Sequence, residues 1–432
     1  MGDSDDSRRP TRRQYIAGGG ALLGGVLLAG CANNGGETPD AGAADGEPTA
    51  TERTGADQTP TLTATDGDTD TPSPTDQSTA TATDSGPYTA TLSPVGEVAF
   101  DSVPENVFTM YNQYADMLVA LGHGDAVNSM FVPDMAGPTM NHYYERLEGV
   151  SFEWEGLVNP YDDFSKEFFY GLDSDVHLLD PAWATTQQNW SRSDVEEITE
   201  NLGPFFGNFY SGTHADPPEA YADSYQYYTL WELFGHVADV FRERERYERL
   251  NAVHSDLLST IRADLPPEDE RPTAVRVTLG DGQFWTYHLN RPGFWLADTR
   301  PLGAVDAFGS EQWDGLWGSV GYETMAEADP DVILHLWGMT PRYDMASVRE
   351  QLQSHSVGQT LSAVENDRVY AQGMRYQGPL MNLFQIEMTA KQLYPDVFGE
   401  WPGYENGEHY PEIPAEEQLF DRERVASIVT GN

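Results

Sequence analysis

Cysteine and positive charge are what this chain lacks. One cysteine, Cys31, stands among 432 residues, which excludes a disulfide framework and a thiolate metal cage and leaves that residue to be explained by its position. Only 24 side chains are basic against 70 acidic, a formal charge of −46, and Lys166 and Lys391 are the two lysines. So one-sided a balance excludes electrostatic binding of nucleic acid or of an anionic lipid surface. The deficit runs through the chain: from Tyr88 onward 56 acidic residues face 19 basic ones, a balance of −37. Self-repulsion of this size is best tolerated where salt screens it, at a Debye length of about 3 Å in 1 M salt. A halophilic, archaeal origin is therefore expected, against the plainer reading of an ordinary acidic surface protein. Catalytic signatures are scarce too. There is no G-x-S-x-G elbow and no P-loop, and Val127 stands where a dinucleotide fingerprint opened by Gly122-His123-Gly124 needs its third glycine.

What is present begins with a leader. Thr11-Arg12-Arg13-Gln14-Tyr15 places a twin arginine before an uncharged Gly/Ala/Leu run over residues 16–30, short for a membrane span and right for an export signal. The run closes on Leu28-Ala29-Gly30-Cys31, which resembles the lipobox of exported lipoproteins and so implies a lipidated Cys31 at the mature N-terminus. The expected location is extracytoplasmic, held at the cell membrane by a diacyl anchor, since two chains hold stably where one does not. Residues 33–86 carry no aromatic and a single leucine, Leu62, among Thr, Asp, Gly, Ala, Pro and Ser. No core can form from them, and their composition suits a flexible stalk. The organisation read from the sequence is a signal peptide at 1–31, a stalk at 32–87, an N-terminal lobe at 88–229, a connecting helix at 230–265 and a C-terminal lobe at 266–432.

The fold class expected is α/β, as two Rossmann-like lobes with parallel sheets joined by one long backbone helix. Val107, Phe108, Thr109 and Met110 form a short apolar run, followed by a helical pattern through Tyr114, Met117, Leu118 and Leu121 that Gly122 stops. Residues 164–172 read as helix before the strand-like run 176–179, and residues 322–328 as helix before 332–336, with a further strand at 274–279. Such alternation with short connections argues for parallel strands covered on both faces. The halves repeat one another: Glu167 stands eight positions before Asp175, which opens one strand, and Glu323 eight before Asp331, which opens the other. Between them, residues 230–265 keep near-helical apolar spacing without proline, which as one helix makes a rod of roughly 45 Å. Its Glu243-Arg244-Glu245-Arg246 run reads as a solvated helix face.

Pro104-Glu105-Asn106-Val107, leading to Asp116 through Val127 with Leu121-Gly122 and Asp125-Ala126-Val127, resembles the opening of the substrate-binding proteins of ABC importers for iron siderophores, haem and cobalamin. Ser174-Asp175-Val176 and Asp329-Pro330-Asp331-Val332-Ile333 resemble that family's paired Pro-Asp-Val-Ile strands, with serine replacing the first proline, and residues 363–370 resemble its Ala-Val-x-x-x-Arg-Val-Tyr strand. The likeness covers roughly residues 98–398. It implies a ligand held between two lobes on a stiff linker, capture and delivery rather than catalysis, no resident cofactor or metal, and a permease that docks on one glutamate from each lobe. By position those glutamates are Glu167 and Glu323. The cargo it implies is a ferric siderophore or related iron chelate, with haem or cobalamin as alternatives.

In open α/β lobes ligands bind past the carboxyl ends of the strands. The residues there are Tyr111, Asn112, Trp183, Tyr210 (beside Phe209), Trp285, Tyr287, Arg291, Trp337, Arg375 and Tyr376. Aromatic walls pack flat or conjugated ligands, and arginine offers a bidentate fork to an anionic chelate. Arg291 and Arg375 lead as charge partners, with Arg300 and Arg342 behind them. Other readings remain open at this point. His123, His142, His177, His214, His288 and His335 are too scattered for an evident metal site, although His142 with Met140, or His214, offers ligands for haem iron. Asp281 and Asp306 offer a carboxylate pair for a secreted hydrolase. An adhesion module would share the anchor and stalk but bind no small ligand.

Overall fold

The computed structural model describes residues 86–432 except 281, 310–312 and 314. The leader, Cys31 and the stretch up to residue 85 lie outside the described residues. Residues 88–100 form a hairpin of β1 (Tyr88–Leu92) and β2 (Gly96–Phe100), apart from the two main sheets. The first of those sheets is parallel: β3 (Val107–Thr109) pairs with β4 (Val176–Leu178), and single parallel bridges at Val107–Val127, Ser129–Val158 and His177–Phe205 widen it. The second holds six strands in the order β10-β9-β5-β6-β8, with β7 also on β5. Its members are β5 (Thr273–Gly280), β6 (Gln283–Tyr287), β7 (Val305–Asp306), β8 (Trp317–Val320), β9 (Val332–His335) and β10 (Val369–Ala371). Here the expectation of purely parallel sheets is corrected. β6 runs antiparallel to both β5 and β8, because β5 turns straight back into β6 through Gly282 at φ 72, a tight turn that L side chains rarely permit. The sheets are separate, yet residues 85–432 pack as one compact unit.

The repeat seen in the sequence is a hydrogen-bonded repeat in the structure. Among the helices, α1 (Asn112–Leu121) follows β3 and α2 (Lys166–Leu172) precedes β4. Asp173 ends α2 in the left-handed conformation at φ 50, and Asp175 Oδ2 accepts the amides of Glu105 and Asn106, each at 2.8 Å, at the start of β3. In the second half Asp329 ends its helix at φ 38, and Asp331 Oδ2 accepts the Thr273 amide at 2.8 Å, at the start of β5. The aspartates thus terminate a helix and fasten the neighbouring strand.

The connector is not one rod. It is α3 (Leu230–Val240) and α4 (Arg244–Asp264), broken at residues 241–243, with Arg242 at φ 56. The helices fold back on each other: Trp231 stacks on His254 with ring centroids 4.3 Å apart, where a continuous helix would hold them about 35 Å apart. The break has a tertiary cause. Tyr88 of the hairpin donates to the Val240 carbonyl, the Arg242 guanidinium lies 4.1 Å over the Tyr88 ring, and Arg244 bonds Asp239 around the turn. The long connecting helix is therefore α4, whose buried Leu250, Val253, Leu257 and Ile261 keep one face on the core. After it come α5 (Tyr322–Ala328), which precedes β9, and α6 (Pro379–Leu393), which is buried on every side. Several of its interior polar groups are paired, Asn382 with Trp231 and Gln377, and Glu387 with Arg422, Tyr410 and the Leu419 amide. Among the described residues no helix is long and apolar enough to cross a membrane.

Candidate ligand-binding seam

The segment from Gly373 to Gly378, between β10 and α6, carries Arg375 and Tyr376 to where the halves meet. Both its end glycines are pressed closely: a Cβ at 373 would fall 2.3 Å from the Tyr143 hydroxyl, and one at 378 would fall 2.6 Å from the Gln113 carbonyl. Past Gly378, Asp116 of α1 accepts the amides of Leu380 at 3.0 Å and Met381 at 3.3 Å, capping α6, and the Tyr144 hydroxyl donates to it as well. Asp116 is fully buried, and burial pushes its carboxyl up to about 7 against those hydrogen bonds. A second buried aspartate, Asp180, accepts the amides of Ala182 at 2.7 Å and Phe209 at 2.8 Å, so it fixes the backbone beneath Trp183 and Phe209; burial raises it to about 6.

Aromatic rings from both halves close on one another here. Tyr111 lies 5.7 Å from Trp183, 5.2 Å from Phe209 and 5.0 Å from Tyr376, ring centre to ring centre. Tyr376 also meets Phe131, Trp295 and Trp337. In their midst sits Arg375, 5 % exposed, its guanidinium carbon 4.6 Å from the centre of the Trp295 ring, 4.8 Å from Tyr376, 5.5 Å from Trp317 and 6.0 Å from Trp337. Nη2 donates to the Tyr376 hydroxyl at 2.7 Å, while Nε is buried without a partner. Among the described residues no carboxylate pairs with it. The other deeply buried arginines are neutralised: Arg276 grips Asp298 through two bonds of 3.1 and 2.7 Å, and Arg422 holds Glu387 at 2.6 Å. Cation–π contacts offset part of the cost of burying the Arg375 charge, at about 0.5–2 kcal/mol each. What remains favours an anion brought from outside.

Of the site residues read from the sequence, Tyr111, Trp183, Trp337, Arg375 and Tyr376 are brought together in this cluster. Asn112 is buried beside it, its amide on the Met374 sulfur at 3.7 Å and its oxygen without a partner. Tyr210 stands at the margin, edge-on to Phe209 at 5.3 Å. Tyr287 faces Trp317 across the β6–β8 register at 6.0 Å, and Trp285 lies half-buried on the same strand face. Arg291 donates to the carbonyls of Gly315 and Trp313 at 2.9 Å each. Arg300 likewise donates to the carbonyls of Arg291 and Gly293. Sequence reading missed Phe131, Tyr161, which packs edge-on to Phe131 at 4.9 Å, Trp295 and Trp317. Trp317 had a signal in principle, since it is paired with Tyr287, but the long connection between β6 and β8 hides that register.

Glu167 and Glu323 are exposed, each in the first turn of a short helix, and among the described residues neither forms an ion pair. No group of three or more His, Cys, Asp or Glu side chains converges among the described residues. The pairing of His142 with Met140 on one haem iron is corrected on geometry: the two share one helix two residues apart, about 200° around its axis, so they cannot meet on one iron. His214 instead packs 4.3 Å from Tyr227. Asp281 lies outside the described residues, and Asp306 accepts the Leu289 amide at 3.0 Å beside His288.

Residues 175–376 match the family model described as periplasmic binding protein. A comparison with curated proteins finds no match. Among solved structures the chain is similar to a periplasmic binding protein from Veillonella parvula, at 18 % identity and TM-score 0.52, covering 72 % of this chain and 92 % of that one. It is also similar to the iron uptake ABC transporter substrate-binding protein PiuA from Streptococcus pneumoniae, at 16 % identity and TM-score 0.50, covering 71 % and 98 %. These likenesses show that the chain shares its α/β fold with those two proteins.

Proposed function

We propose that this chain is the extracytoplasmic solute-binding component of an ABC importer and that its cargo is a small anionic iron chelate, a ferric siderophore in the first instance. The observation that carries the reading is Arg375: a buried cation without a carboxylate, ringed by four aromatics of the C-terminal half, one of which, Tyr376, packs on Tyr111 of the other half. In a chain this acidic, one unpaired guanidinium is a local reversal of the field. The rings touch across the seam, so a ligand enters only when the halves part, and binding then selects a form closed around it. Glu167 and Glu323, exposed on corresponding helices of the two halves, are the docking contacts for a permease. Cys31 is the lipid attachment point, holding the protein at the outer face of the membrane by way of the stalk.

The test is a fluorescence titration in molar salt against anionic ferric chelates, haem and neutral cobalamin. Arg375→Ala should weaken an anionic ferric chelate by about tenfold or more, the worth of a charge-assisted hydrogen bond of about 1.5–3 kcal/mol, and leave cobalamin within about twofold. Equal losses for both, or none, would remove Arg375 as the charge partner. Absence of binding to all three classes, with turnover of oligosaccharides instead, would replace the importer reading with a hydrolase.

A further inference from the structure

The halves meet a second time, where a backbone rather than a side chain lies against a ring. Gly212 belongs to the short helix Tyr210–Thr213, directly after Phe209. A Cβ at this position would stand 2.6 Å from Trp295 Nε1, 2.9 Å from Cε2 and 3.0 Å from Cδ1. The approach is reciprocal: Gly293, at φ 114, lies so close that a Cβ there would stand 2.5 Å from the Gly212 carbonyl oxygen. Trp295 has little freedom to give way. Phe209 meets it edge-on at 5.5 Å, Tyr376 packs at 5.2 Å, and the Arg375 guanidinium lies over its ring. Its Nε1 is buried without a partner.

We infer that Gly212 is a positioning residue for the seam: the missing side chain sets how closely Trp295, and with it Arg375, approaches the N-terminal half. Any side chain at 212 must drive the indole or the whole C-terminal half away by several tenths of an ångström, because packed interiors do not absorb a methyl group freely. Gly293 then serves the same approach from the other side, where its φ of 114 suits glycine alone. The consequence for a ligand follows directly. A seam closed to this gauge grips a chelate between Trp295 and Tyr376 and the facing half, and a wedge at 212 loosens that grip.

The part of this inference that concerns ligand rests on the reading above; the part that concerns closure does not, and the experiment separates them. Amide hydrogen exchange is measured on the unliganded wild type and on Gly212→Ala, both in molar salt, and ferric citrate and a ferric trihydroxamate are then titrated into each. Faster exchange in Gly212→Ala is expected at residues 209–213, 293–296 and 373–378, with both sheets unchanged. A loss of affinity of about tenfold should accompany it, carried by dissociation rather than association. Unchanged exchange in those segments, or faster exchange spread over both sheets, overturns the inference whether or not a chelate binds. Failure of the wild type to bind either probe overturns the cargo reading and leaves the closure result standing. Gly212→Ala with Trp295→Phe should return the exchange toward wild type by removing the crowded indole edge; persistent opening in the double variant counts against the contact. Should Gly212→Ala alone lose a cooperative melt, this double variant decides the question by the same readout.

Discussion

Arg375 and Arg276 are both buried, and the chain treats them in opposite ways. Arg276 is held by Asp298, which also accepts from Gln377, so its charge is spent on the fold. Arg375 is surrounded by rings and one phenol. Buried carboxylates show the same division of labour. Asp116 and Asp180 do not neutralise cations; they accept backbone amides under the seam, at the cost of raised proton affinity. The pH consequence has a definite sign. A carboxyl whose folded value, about 7 for Asp116, lies above the ordinary range near 4 binds its proton more tightly when folded. Its contribution to stability is fully present below about pH 4 and is lost as pH rises through 7. The melting temperature of the wild type relative to Asp116→Asn should therefore fall between pH 5 and pH 8. Parallel melting curves for the two proteins across that range would show that Asp116 is not held protonated. His254, stacked under Trp231 and pushed down to about 3 by burial, works in the other direction, losing stability as pH falls below about 6.5.

At the scale of elements, the strand-opening aspartates account for the internal repeat. Asp175 holds two amides and Asp331 one, so Asp175→Ala should cost about 1–3 kcal/mol in denaturant unfolding and Asp331→Ala less. A larger loss at Asp331 would mean that the pairing of the halves has another origin. These elements were legible in the sequence: β4, β5 and β9 fall where apolar runs end at Gly, Asp or Pro, β3 falls on the short apolar run after Pro104, and α5 occupies the very residues its spacing indicated. The break between α3 and α4 was not legible. The apolar period continues through Phe241, and neither glycine nor proline marks the turn; what ends α3 is Tyr88, brought in by a hairpin far back in the chain. The seam was half legible for a related reason. Tyr111, Trp337, Arg375 and Tyr376 follow strands closely, whereas Phe131 and Tyr161 reach it from loops and Trp295 from a single 3-10 turn, whose course no periodicity reveals. Arg291, past the end of β6, braces the carbonyls of Gly315 and Trp313.

The whole molecule carries its acidity on a fold that must still bring two halves together. With 56 acidic against 19 basic residues after Tyr88, self-repulsion opposes every closed contact, and salt that shortens the Debye length from about 10 Å to about 3 Å relieves it. Raising sodium chloride from 0.1 M to 2 M should raise the melting temperature; a flat or falling response would show that the charge is already balanced locally. The close contacts at the seam are made by few groups, namely Asp116 at the head of α6, the glycines at 373 and 378, and Gly212 against Trp295.

The most direct measurement is a crystal structure of the full chain grown with a ferric chelate, with the iron located by anomalous scattering at its absorption edge. The iron should lie between the two sheets, with the chelate stacked on Trp295 or Tyr376 and an oxygen of it within hydrogen-bonding distance of the Arg375 guanidinium. Iron located instead in the open cleft lined by Arg146, Arg349 and His409, or a seam unchanged while the chelate binds elsewhere, would contradict the assignment.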